Sequence, residues 1–283
     1  MADNKPTPKS RGLGAALRES RKARALTLRE LADKIDRDYT MISRWETGDK
    51  VPTIAQVAQI LNALEVTGDR YDDIIALAER PFDPQWLATG LPGQQQQLTT
   101  LLEYESMATR FVSVSPLLIP GMLQTADYVR AMMRAGKVPA IELEQRVAVR
   151  LGRRDMLTRT RPAQLTAIIG EAALRGRIGG PEIMLDQLRH LLIMNKLLTV
   201  DVFVLPIATD WHPALEGPFS MIDCIDGSNI VHIENRRSGI FLHEDDDVDI
   251  YREAVPAILA EAMTLEESIE RIELEIAELE RFG

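Results

Sequence analysis

Four polar side chains on one short stretch carry the clearest chemistry in this chain. In Asp38-Tyr39-Thr40-Met41-Ile42-Ser43-Arg44-Trp45-Glu46, Ile42 and Trp45 lie three apart and can both face a core. Helical spacing then leaves Tyr39, Thr40, Ser43 and Arg44 on the outward side. Hydroxyls and a guanidinium in that array can hydrogen-bond to base edges in a major groove. Arg44 is the strongest reader among them, because its planar fork matches guanine O6 and N7. Tyr39 has two open readings, a base contact or packing across the preceding turn. A second set is basic: Arg146, Arg150, Arg153 and Arg154 recur at helical spacing, with Arg159 and Arg161 just beyond. They form a solvated or internally paired face, or a docking surface for an acidic partner or an anionic effector.

Little else in the sequence could react. The histidines His190, His212, His232 and His243 show no HxxxH or HExxH spacing. His232-x-Glu234 and the acidic run Glu244 to Asp247 make too sparse a ligand pattern for a metal to be expected. There is no glycine-rich phosphate loop and no Gly-x-Ser-x-Gly elbow. Cys224 is the single cysteine, which excludes a disulfide framework and a cysteine-cluster zinc site and suits a small buried packer. No enzyme and no cofactor is expected.

The elements that must position Tyr39 to Arg44 read clearly. Residues 13–26 form a first helix, with Leu13, Ala16 and Leu17 inward. Thr27-Leu28-Arg29-Glu30 is a capping box, in which hydroxyl and carboxylate satisfy each other's backbone amides. The helix it opens carries Leu28, Leu31, Ala32 and Ile35 and stops at Asp36-Arg37. Asp38 caps the next helix, Tyr39 to Glu46, which Gly48 closes. Further helices follow from Ile54 to Leu64 and from about Tyr71 to Glu79. Two short helices joined by a tight turn, the second polar at its start, is the arrangement that places one helix in the groove.

Charge agrees with this division. The chain carries a net −10, yet residues 1–66 hold 12 Lys/Arg against 9 Asp/Glu, leaving 21 against 34 for the remainder. From Lys9 to Arg29 there are seven bases and one acid, Glu19. A basic head on an acidic body suits one restricted phosphate-facing surface, or a solvated surface of uneven charge. The domain expectation is a flexible arm at 1–10, a helix-turn-helix domain at 11–80, a linker at 81–97 rich in Pro, Gly and Gln, and a body at 98–283. In the body, 98–111, 126–136, 139–157, 181–196, 246–263 and 265–282 read as helix. VSVSPLLIP reads as an extended segment broken by Pro116 and Pro120, and the strands are QLTAIIG, LTVDVFVLP and a hairpin of PFSMIDCID and NIVHIEN turning at Gly227-Ser228. The fold class expected is an all-α helix-turn-helix domain followed by an α+β domain with a C-terminal amphipathic helix. That last helix opens at a second capping box, Thr264 to Glu267. Its stripe of Leu265, Ile269, Ile272, Ile276 and Leu279 can pack on its own chain or against a twin, and a homodimer is expected. The chain has no apolar run of membrane-spanning length and no signal-peptide stretch, so a cytoplasmic, nucleoid-associated protein is expected.

The run L-T-L-R-E-L-A-(x)9-I-S-R-W-E-T-G-(x)3-P, Leu26 to Pro52, resembles the XRE family of phage-repressor-like helix-turn-helix domains. That resemblance implies double-stranded DNA as partner, with Thr27, Arg29 and Lys50 where the family touches phosphates and Tyr39, Thr40, Ser43 and Arg44 where it reads bases. It also aligns Arg21 and Glu46 with a pair that ties the first helix to the end of the recognition helix. Two positions depart: Asp36 stands where glycine is usual in the turn, and Tyr39 where glutamine is frequent. In the body, Tyr104-Glu105-(x)2-Ala108, Ile119-Pro120-Gly121-Met122-Leu123-Gln124-Thr125-Ala126-Asp127-Tyr128, Arg150-(x)2-Arg153-Arg154, Glu171-Ala-Ala-Leu174 and Val204-Leu205-Pro206 recur in order. Together they resemble the C-terminal domain of actinomycete antitoxin-like XRE regulators. The resemblance implies a small acidic protein encoded nearby as partner. The alternative to a plain regulator is then a module that holds that partner and autoregulates through DNA.

Overall fold

The computed structural model describes residues 6–79, 85–235 and 238–282. Residues 1–5 of the expected arm and 81–84 of the expected linker lie outside them. The first helix, α1 (Pro8–Ala23), begins five residues before the expected Leu13, for a local reason. The Thr7 hydroxyl accepts the Ser10 amide at 3.1 Å, and Pro8 occupies a first-turn position where no amide is required. Helices α2 (Leu28–Lys34), α3 (Tyr39–Glu46), α4 (Ile54–Ala63) and α5 (Asp69–Ala78) follow. Thr27 and Thr53 each close a full capping box, with Glu30 and Gln56.

Beyond the head, β1 (Gln85–Thr89) and α6 (Gly90–Met107) occupy residues expected as linker and helix. The expected helix 98–111 ends at Met107, because Ala108-Thr-Arg-Phe-Val-Ser-Val-Ser115 is strand β2. A 3-10 turn at Gly121–Leu123 precedes α7 (Ala126–Ala135), which Thr125 caps as read from the sequence. The single helix expected over 139–157 is broken into α8 (Ala140–Gly152) and α9 (Asp155–Thr158), with Gly152, a poor helix former, at the break. Then come β3 (Gln164–Gly170), α10 (Glu171–Arg175), α11 (Pro181–Met194), β4 (Val200–Leu205), a 3-10 turn at Pro213–Glu216, β5 (Phe219–Cys224), β6 (Asn229–Glu234), β7 (Ser238–Leu242), α12 (Asp245–Glu261) and α13 (Leu265–Phe282). The architecture is an all-α N-terminal region followed by an α+β region ending in an amphipathic helix.

The chain forms two compact units, Met1–Met107 with Ser228–Val248, and Ala108–Gly227 with Asp249–Gly283. In the first, Leu13, Leu17, Leu31, Ile42, Trp45 and Leu61 are almost wholly buried and make the core of the five-helix head. Helix α6 runs against α1 in the same unit: Arg18 pairs with Glu103 at 2.8 Å, and the Arg11 guanidinium lies 5.4 Å from the centre of the Tyr104 ring. Strands β1, β7 and β6 pair antiparallel in that order, Leu87 opposite Ile240 and Ile240 opposite Ile233. Phe241 stacks on His232 at 4.5 Å and on Tyr104 at 6.3 Å.

The second unit orders its strands β5-β2-β3-β4. Strands β2, β3 and β4 are parallel, with Val112 opposite Thr166 and Ala167 opposite Val202, while β5 runs antiparallel to β2. Parallel strands are covered on both faces, which is why Ala167, Ile168 and Ile169 are all buried in succession. Helix α13 packs against α11 and β4. Its start stitches the edge of the sheet: the Ser268 hydroxyl accepts the Val204 amide at 2.9 Å and the Met263 amide donates to the Val204 carbonyl at 2.9 Å. The stripe read as a possible dimer seam is used within the chain, since Ile272 and Leu279 are buried with Ser268 and Glu275, while Ile269 and Ile276 are half-buried.

Candidate nucleic-acid interface

The outward row of α3 is built by what lies beneath it. Asp36 takes a left-handed backbone, φ 51°, at the turn position where glycine is usual; aspartate tolerates that region better than most residues. The chain can therefore reverse between α2 and α3, and the Asp38 carboxylate then caps α3 through the Thr40 amide at 2.7 Å. Ile42 and Trp45 are 0% and 1% exposed, so Tyr39, Thr40 and Arg44 are turned to solvent and Ser43 is half-buried.

The far end of α3 is clamped. Arg21 makes a two-pronged bond to Glu46, Nε to Oε1 and Nη2 to Oε2, both at 2.7 Å, with 8% and 4% of the two residues exposed. The carboxylate holds the Arg21 pKa above its ordinary value against the opposing pull of burial. Arg21 also donates to the Leu26 carbonyl, and Arg18 donates to the Glu46 carbonyl, each at 2.6 Å. The sequence aligned Arg21 with Glu46 but gave no role to Arg18 or Gly14. A Cβ on Gly14 would stand 2.6 Å from the Trp45 carbonyl oxygen, so only glycine lets α1 lie this close to α3. The signal was present in the small-residue run Gly12-Leu-Gly-Ala-Ala16.

The expected DNA-facing residues differ in what their polar atoms are already doing. Both donors of Thr27, amide and hydroxyl, are spent on the Glu30 carboxylate at 2.7 Å, and those bonds hold the Glu30 carboxyl below its ordinary pKa. The Thr40 hydroxyl donates to Asp38. The Arg29 guanidinium lies 5.5 Å from the centre of the Tyr39 ring, a cation–π contact that joins a phosphate candidate to a base candidate. Arg44 and Lys50 are exposed, and among the described residues neither side chain has a hydrogen-bond or ion-pair partner. The Lys50 amide donates to the Arg44 carbonyl at 3.1 Å, which sets these two cations on neighbouring backbone.

The four body arginines separate. Arg146 pairs with Glu142, one turn earlier, at 2.7 Å. Arg154 is half-buried and donates to two main-chain carbonyls, Met122 at 3.3 Å and Gln124 at 2.7 Å. Arg150 and Arg153 lie against Gly121, their Nη1 atoms 3.2 and 3.1 Å from where a Cβ would stand. Cys224 is buried, and among the described residues no three His, Cys, Asp or Glu side chains are placed to hold a metal. Nor is any helix among them long and apolar enough to cross a membrane.

Two family models match the chain. One, described as a helix-turn-helix domain, matches residues 12–74. The other, described as a domain of unknown function (DUF5753), matches residues 98–274, more than half of the chain. No curated protein and no solved structure matches it.

Proposed function

The chain belongs to the DUF5753 family and carries a helix-turn-helix domain ahead of that domain, and on this premise we propose that it is a sequence-specific DNA-binding transcriptional regulator of the XRE type. Its helix α3 enters the major groove, and the protein acts as a cytoplasmic homodimer and not as an enzyme. One observation carries the reading: α3 is clamped at its end by the buried Arg21–Glu46 pair and presents Arg44 outward with its guanidinium uncommitted. A rigid helix with one free planar donor fork is suited to reading a guanine edge. Arg44 and Ser43 read bases, and Lys50 and Arg29 bind phosphate. Tyr39 is placed by its contact with Arg29, and Thr27 and Thr40 contribute after exchanging their present carboxylate partners.

Footprinting of the full chain on genomic fragments tests this. The expected result is a near-palindromic site whose halves lie about 34–36 Å apart, one helical turn of DNA or a multiple of it. Protection of a single short half-site would remove the dimer, and no protection at all would remove the regulator. The antitoxin-like alternative places a small acidic partner on Arg146, Arg150, Arg153 and Arg154. The pairing of Arg146 with Glu142 and of Arg154 with carbonyls leaves that surface less to offer a protein partner.

A further inference from the structure

Arg154 is half-buried, and among the described residues its side chain is tied only to main chain. Its two hydrogen bonds end on the carbonyls of Met122 and Gln124, and no carboxylate among the described residues pairs with it. A guanidinium that has lost part of its hydration is ordinarily matched by an acid, because carbonyl dipoles offset only part of that loss. Burial accordingly pulls the Arg154 pKa below its ordinary value. His190, on α11, stands close enough for the Arg154 charge to add to burial in lowering its own pKa. The His190 Nε2 atom is enclosed and has no hydrogen-bond partner among the described residues.

The turn between them is held rigidly. Gln187, fully buried one turn before His190, accepts the Thr125 amide at 2.7 Å and donates to the Leu123 carbonyl at 2.8 Å. Gln124, 2% exposed, donates to the Ile119 carbonyl at 2.7 Å, and its Oε1 is a second enclosed atom without a partner. Buried polar atoms are nearly always satisfied. Two orphans, one on this turn and one a helical turn from Gln187, accompany a cation bonded to the same turn without an acid. Arg150 and Arg153, which have partners of their own, border the same turn at Gly121.

We propose that the second unit binds a small oxyanion, the phosphate or carboxylate group of a metabolite, between Arg154, His190 and the turn Met122–Thr125. Arg154 supplies the charge and a remaining N–H, His190 a second donor through Nε2, and the Gln124 Oε1 accepts a hydroxyl of the ligand or of its bound water. The site lies apart from the helix-turn-helix in sequence and makes the body a receptor for an anionic effector. It does not depend on the DNA-binding reading, since its test measures ligand alone.

The test is isothermal titration calorimetry of the full chain with inorganic phosphate and, separately, with malonate, at ionic strength held constant by chloride. At least one of the two is expected to bind where chloride does not, and the stronger arm tells phosphate from carboxylate. Arg154→Gln should weaken that binding about tenfold or more, the loss of a charge-assisted contact. His190→Gln should weaken it less, and Arg146→Gln should leave it unchanged. Binding of neither anion, or equal binding by wild type and Arg154→Gln, would overturn the site. Should Arg154→Gln fail to fold, unchanged affinity in His190→Gln would overturn it.

Discussion

Arg44 and Lys50 differ from the other candidate residues in having their charged ends unspent, and this predicts how substitutions divide. Arg44→Ala should cost about 1–3 kcal/mol on the cognate site and relax preference at one base pair. Lys50→Ala should weaken all sequences alike and reduce the salt slope by about one. Binding measured across a panel of single-base variants at several salt concentrations separates the two. Identical behaviour of both substitutions would mean that neither role is assigned correctly. Thr27 and Thr40 were legible as polar and outward-facing, but their prior engagement with Glu30 and Asp38 was legible only in part. The capping box is a local pattern, whereas the extra hydroxyl contacts depend on rotamers that spacing does not fix.

At the scale of elements, α3 was readable to the residue, because Asp38, Gly48 and the Ile42–Trp45 spacing are all local signals. Strand β2 was only partly readable: its start lies in a sequence that continues the helical pattern of α6, and pairing with β3 and β5 decides the boundary at Met107. Strand β7 was missed, being five residues whose pairing partners are β1 and β6. The inward face of α13 was legible in part: Ile272 and Leu279 of the expected stripe are buried, whereas Leu265 is exposed and Ser268 and Glu275 were not read as inward. Glu275, which reads as solvent-facing, is 2% exposed, because Arg175 and Arg271 both pair with it. The revised face makes a prediction. Ile272→Ala should cost about 2–5 kcal/mol in urea denaturation, the range for a buried aliphatic truncation. Leu274→Ala, at a position 56% exposed, should stay within about 0.5 kcal/mol. The reverse order would show that Ile272 does not stand in the core of its own chain.

Across the whole molecule, the expected division at 81–97 rested on composition, and composition says nothing of which distant segments meet. The first unit takes in α6 and also Ser228–Val248, from the far half of the chain. Phe241, fully buried, is the joint, stacked on Tyr104 of α6 and on His232 of β6. Phe241→Ala should cost about 3–5 kcal/mol. Amide exchange should then quicken along α1 and α6 as well as β6 and β7, while α11 in the other unit keeps its protection. A change confined to β6 and β7 would show that the head does not share their stability.

That discontinuity has a consequence on the ribosome. The 120 residues from Ala108 to Gly227 are synthesised after α6 and before the strands that complete its unit. At about 5–20 residues per second, the gap lasts roughly 6–24 s. Throughout that interval Arg21, Glu46 and the whole of α3 have already been made, yet the Tyr104 ring still waits for Phe241. The order of translation thus delivers α3 early and leaves its unit to be closed last.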